Sequence, residues 1–170
     1  MLNKSNIACT DICQTKVIAF FTNSKQKAIF PCFGLMKLYK VLDLRKAELE
    51  RIYTSLGGQY SLWERLRQGG IGSPMIYYTK GLVAVDSLQA LASDELRINM
   101  ELLKEGVLFR IAERTNAYFI PIHQSTIKDL RLRRDTEHTL LTIETTTFSC
   151  ELWGAIDSYM GWRKFLERIK

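Results

Sequence analysis

From Leu96 to Leu152 the chain alternates apolar and polar residues, and from Ile156 the period changes from two to about three and a half. Leu96, Ile98, Met100 and Leu102 are interleaved with Arg97, Asn99 and Glu101, the pattern of a strand with one buried and one wet face. A turn at Lys104-Glu105-Gly106 leads to Val107, Phe109 and Ile111, and Thr115-Asn116 turns the chain into Tyr118–Ile122. Pro121 has no N–H for a ladder, so this strand ends there, bulges or lies at an edge. Leu130 and Leu132 alternate with Arg131 and Arg133, and two last strands follow around Leu141 and Ile143 and around Phe148, Cys150 and Leu152. Beyond Gly154, the residues Ile156, Tyr159, Trp162, Leu166 and Ile169 recur at helical steps, with Asp157 or Ser158 as the cap. A helix striped with Tyr, Trp and Phe needs an apolar surface to cover, because each ring buries on the order of 150–250 Å². Many short antiparallel strands closed by one helix make an α+β fold, with Trp162 as its anchor.

The runs Glu105–Phe109, Tyr118–Ile122, Ile127–Leu130 and Leu140–Ile143, followed by the Trp162 helix, resemble bacterial pleckstrin-homology-like domains over residues 95–170. The resemblance implies an antiparallel barrel or sandwich closed by its C-terminal helix, and a binding or scaffolding role. Phosphoinositide-binding relatives carry clustered Lys and Arg around the first strand turn, where this chain has Lys104 next to Glu105.

Ahead of that region, Leu49, Ile52, Tyr53 and Leu56 fall on one helical face after Asp43, a candidate cap, and Lys46 and Glu50 are spaced as an exposed pair. Gly57-Gly58 stops this helix. Ser61-Leu62-Trp63-Glu64 reads as a capping box that opens a second helix, ended by Gly69-Gly70. Residues 36–70 therefore read as a helical hairpin, with Trp63 the expected anchor onto the sheet. Its second helix offers no base-reading set of Arg, Asn and Gln, so nucleic acid is not an expected partner. Residues 69–74 read as a linker, 75–79 and 82–86 as two strands, and 88–91 as a helical turn, so that the barrel domain spans residues 75–170.

Residues 1–35 hold Cys9, Cys13 and Cys32 and show no sustained period. Two thiols at helical spacing lack the two further ligands a zinc site needs, so neither a metal nor a disulfide framework is expected. The longest apolar run near the start, Val17–Phe21, does not read as a signal peptide, which gives a cytoplasmic expectation. Net charge is +6, and the whole excess of cations lies in the first 75 residues. Such a half can attract an anionic surface, so a membrane-peripheral location and anionic lipid stand as the alternative to a protein or peptide partner.

Lys128, Arg131, Arg133 and Arg134 are the candidate binding cluster. On one sheet face Arg131 and Arg133 stand about 7 Å apart, suited to phosphate or carboxylate. The same residues equally describe a charged edge that discourages strand-to-strand aggregation. The only imidazoles, His123 and His138, fall at strand ends, and no nucleophile motif, cofactor motif or carboxylate pair accompanies them. The expectation is a non-enzymatic binding domain without a cofactor, the alternative being a small enzyme whose site assembles in space.

Met36 precedes the apparent first strand. We expect translation to begin there, with residues 1–35 a mis-assigned extension or else a floppy leader; the intact mass of the native protein should match a chain starting at Met36, and a product beginning at Met1 and ordered from there would overturn the expectation.

Overall fold

The computed structural model describes residues 37–92 and 94–169. In chain order the elements are β1 (Tyr39–Lys40), α1 (Lys46–Ser55), α2 (Leu62–Arg67), β2 (Ile76–Lys80) and α3 (Val83–Leu91). There follow β3 (Arg97–Leu103), β4 (Gly106–Glu113), β5 (Asn116–His123), β6 (Ile127–Arg134), β7 (His138–Thr145), β8 (Ser149–Ala155) and α4 (Tyr159–Leu166). The expected leader, the proposed start at Met36 and Cys9, Cys13 and Cys32 lie outside the described residues.

The strands form one antiparallel sheet in the order β1-β5-β4-β3-β2-β8-β7-β6. Two meanders, β3-β4-β5 and β6-β7-β8, are joined through β2, which pairs Ile76 with Ile98 on one side and Tyr77 with Trp153 on the other. The sheet does not close: its ends, β1 and β6, have no ladder between them. The expected barrel is therefore corrected to an open sheet.

Inward-facing side chains of both meanders share one core, including Ile98, Met100, Phe109, Ile120, Leu141, Ile143 and Leu152. Trp162 and Phe165 of α4 complete it, their rings edge-to-face at 5.7 Å. Trp162 is 0% exposed, as the anchor role requires. The helix is shorter than the apolar stripe suggests: Ile156–Ser158 is a 3₁₀ turn, and Ile169 is buried just beyond the last helical residue.

Strands β3, β4 and β5 are also covered on their outer face. Leu103, Leu108 and Phe119 meet Ile52 of α1 and Leu56, its C-cap, in a second cluster. Between them Arg110 donates to the Glu101 carboxylate and, at 2.9 Å, to the Tyr53 hydroxyl, with its guanidinium carbon 5.2 Å from the Phe119 ring centroid. Burial, and then the Glu101 charge, pushes the Tyr53 phenol above its ordinary pKa. Asp43 does not cap α1. The Arg45 N–H is taken by the Glu48 carboxylate at 2.9 Å, and the helix begins at Lys46.

Three local expectations change for tertiary reasons. Residues 71–73 are no free linker: Leu102 N–H donates to the Ile71 carbonyl, and Ser73 brackets Met100 with its N–H and its hydroxyl, each contact 2.8 Å. This segment continues the β3 edge where β2 does not reach. The stretch 82–86 is helical, not a strand. Leu82, Val85 and Leu88 face the core at steps of three, and the buried Tyr78 hydroxyl accepts from Leu82 N–H while donating to Asp86 at 2.6 Å. Gly81 turns the chain into it at φ +107°, where a Cβ would lie 2.1 Å from the Ser149 carbonyl oxygen. Trp63 does not anchor α2 to the sheet, for it is 78% exposed. The Ser61–Glu64 capping box is present, with Ser61 N–H donating to Glu64 at 2.7 Å. Pro121 sits within β5 opposite Leu108, past the two residues that β1 pairs, so β5 has no ladder to lose on that side.

Trp162 Nε1 is buried without a hydrogen-bond partner among the described residues. Trp162→Ala should cost about 3–5 kcal/mol in denaturant unfolding. Trp162→Phe, which keeps one aromatic ring and removes the unpaired donor but leaves a smaller cavity, should cost less than the alanine substitution. Equal losses would show that the ring does not fill the core.

Candidate functional site

Among the described residues β6 is the last strand of the sheet and pairs only with β7. Beside it runs a groove of mixed polar and apolar lining, closed on the other side by α4 and by Ile169 beyond it. One depression of about 320 Å³ is lined by Leu130, Leu132, Tyr159, Arg163, Leu166 and Glu167. A second, of about 470 Å³, lies between Gln124, Ile127–Leu130 and Ile169. Leu130 belongs to both, so the groove follows the strand. Its floor exists because Leu130 and Leu132 point towards the core but are only half covered by α4.

The pairing register places the basic residues. Ile127 pairs Thr145 and Asp129 pairs Glu144, so Lys128 is an extra residue in a bulge. The bulge keeps Ile127 on the core side while Asp129, Arg131 and Arg133 share the outer face, with Arg131 opposite Thr142 and Arg133 opposite Leu140. Arg131 and Arg133 are thus together, as the alternation predicts. Yet Arg131 is taken up: its Nε donates to Asp129, and its terminal nitrogen lies 3.7 Å from Glu144. Lys128, Arg133 and Arg134 are exposed and have no ion-pair partner among the described residues. Asp129 also accepts from the Leu130 N–H at 2.8 Å, covering a backbone donor of the edge strand.

Asp129 is held below the ordinary carboxylate range by the Arg131 hydrogen bond, which outweighs an opposing effect of desolvation and is helped by the Arg131 charge and the Leu130 N–H. Arg131 is raised by the same contact. Because the folded-state pKa of Asp129 is depressed, the pair is complete at neutral pH and is lost as pH falls through that depressed value. Both groups face water, so the pair orders the edge more than it stabilises the fold.

The two histidines occupy strand ends. His123 Nδ1 lies 2.8 Å from the Ser125 hydroxyl and accepts from the Ser125 N–H, while Nε2 lies 3.5 Å from Glu105. A carboxylate, an imidazole and a hydroxyl stand close together on an exposed 3₁₀ turn that the imidazole caps, and Gln124 of the same turn lines the second depression. His138 meets the Trp153 ring edge-on at 5.1 Å, and Trp153 stacks on Tyr77 at 4.7 Å. Sequence reasoning did not foresee that aromatic row, because its members lie on three different strands.

Compared with family models, with curated proteins and with solved structures, the chain matches none.

An NMR titration of the Asp129 carboxyl carbon should give a midpoint below that of an ordinary aspartate, and Arg131→Ala should move it back up. A midpoint indifferent to that substitution would mean the two side chains are not paired in solution.

Proposed function

We propose that this chain is a non-enzymatic binding domain of pleckstrin-homology-like type, which takes an extended segment of a partner protein beside β6. The observation that carries the reading is the unpaired side of β6 beside a groove that it shares with α4, lined by apolar and polar side chains in similar measure. An added strand gains main-chain hydrogen bonds from such an edge, and alternate side chains gain pockets. Leu130, Leu132, Tyr159 and Leu166 supply the apolar contacts. Lys128, Arg133 and Arg134 favour acidic residues in the segment that docks. The strand order supports the family likeness: a meander of four strands, β2 to β5, meets a meander of three, β6 to β8, through pairing of the first strand with the last, and one C-terminal helix packs on β6.

A photo-crosslinking amino acid placed at Leu132 in the full chain identifies the partner segment, whose synthetic peptide is then titrated by calorimetry. Leu132→Pro, at an edge strand that tolerates proline, and Leu130→Ser should each weaken binding about tenfold, on the order of 1–2 kcal/mol for a lost hydrogen bond or apolar contact. Undiminished binding to both variants would reject strand addition at this edge.

A further inference from the structure

Helix α2 presents the most exposed cluster of large apolar side chains adjacent in sequence in the described chain. Leu62 is 68%, Trp63 78% and Leu66 63% exposed. With about 100° per residue these three span one stripe of the helix, and Arg65 and Arg67 fall on its two flanks. The helix is well formed despite its six residues, because Ser61 and Glu64 close a capping box and Arg65 Nε donates to the Tyr60 carbonyl at 2.8 Å. Tyr60 before it and Ile71 after it pack against the main core, so both feet of the segment are fixed. Arg168 also clamps the end of the helix, donating to the Gln68 and Gly70 carbonyls at 2.9 and 2.6 Å, while Leu62, Trp63 and Leu66 stay open to water. A Cβ at Gly58, Gly69 or Gly70 would meet nothing within 4 Å.

The surrounding charge says what such a protrusion fits. Arg65 is held by the Tyr60 carbonyl and the Gln59 side chain, neither of them anionic. Arg67 and Lys104 have no ion-pair partner among the described residues. Both lie within electrostatic reach of Glu64, whose carboxylate is already committed to the Ser61 N–H. Three cations against one occupied carboxylate surround a convex apolar tip. A protein partner would have to offer a matching apolar pocket rimmed with acid. An anionic bilayer surface offers the same chemistry without a preformed pocket, and Trp is favoured at the boundary between headgroups and acyl chains.

We propose that α2 is a membrane-docking tip: Leu62, Trp63 and Leu66 enter the interface of an anionic lipid bilayer, and Arg65, Arg67 and Lys104 engage its headgroups. The site is separate from the β6 groove, so either proposal can fail without the other.

The full chain should co-sediment with vesicles of equal parts phosphatidylcholine and phosphatidylserine, and bind phosphatidylcholine alone about a hundredfold more weakly, the three basic residues contributing about 1 kcal/mol each. Trp63→Ser should lower binding about tenfold and Arg67→Glu by a similar factor, both with an unchanged thermal midpoint because the side chains are exposed. Trp63→Phe should retain binding. Acrylamide should quench Trp63 in the free chain, read as the difference between wild type and Trp63→Phe, and vesicles should protect it. The proposal is overturned if anionic vesicles fail to pellet the chain or if Trp63→Ser pellets as wild type does. It is equally overturned if Trp63 is shielded in the free monomer, which would mean that the chain covers its own tip. A dimer that Trp63→Ser disperses would assign the surface to a second copy instead.

Discussion

The pairing of β2 with β8 holds the two halves of the sheet together. Tyr77 faces Trp153 and Tyr78 faces Leu152 across it, contacts between residues more than seventy positions apart. Every other ladder among β3 to β8 joins consecutive strands and costs little chain entropy to close. Once β2 bridges the meanders, their inner faces share one core, and α4 has a cavity to fill with Trp162 and Phe165. The bridge also sets the ends of the sheet. β5 is flanked by the two-residue β1, and β6 is left with β7 as its one strand neighbour among the described residues.

An open edge beside a helix and a capped helix standing off the body are different kinds of surface. The first offers main-chain donors and acceptors along a groove, tempered by the Asp129 carboxylate on the Leu130 N–H. The second offers no backbone groups, only apolar side chains between cations. Fixing α2 at Tyr60 and Ile71 while leaving its stripe uncovered leaves three large apolar side chains in water that folding could have buried. α1, which lies on the same side of the sequence, buries Ile52 and Leu56 against the outer face of β3 to β5. The two helices of the expected hairpin thus serve opposite ends, one sealing the sheet and one projecting from it.

Much of the architecture was legible where the pattern is local. Alternation marked β3 to β8, and the Ser61–Glu64 spacing marked the start of α2. The stretch 82–86 was misread because Leu82, Val83, Ala84 and Val85 are apolar at every position, so period cannot separate strand from helix. Leu108 and Phe119 alternate with the core-facing Phe109 and Ile120, and α1 makes their side an interior as well. Of the candidate site, the shared face of Arg131 and Arg133 followed from alternation. Neutralisation of Arg131 by Glu144 did not, since it needs the register between β6 and β7.

Residue order alone determined which segments extend, where they turn, and that an aromatic-striped helix must close the fold, because each of those depends on neighbours within a few positions. Only the tertiary structure decided that the sheet stays open, that β2 sits at its centre, that Trp63 faces water while Trp162 is sealed, and which of the arginines keep their charge unpaired. Those outcomes depend on which distant surfaces meet, and one chain's local periodicity carries no record of its partners across space.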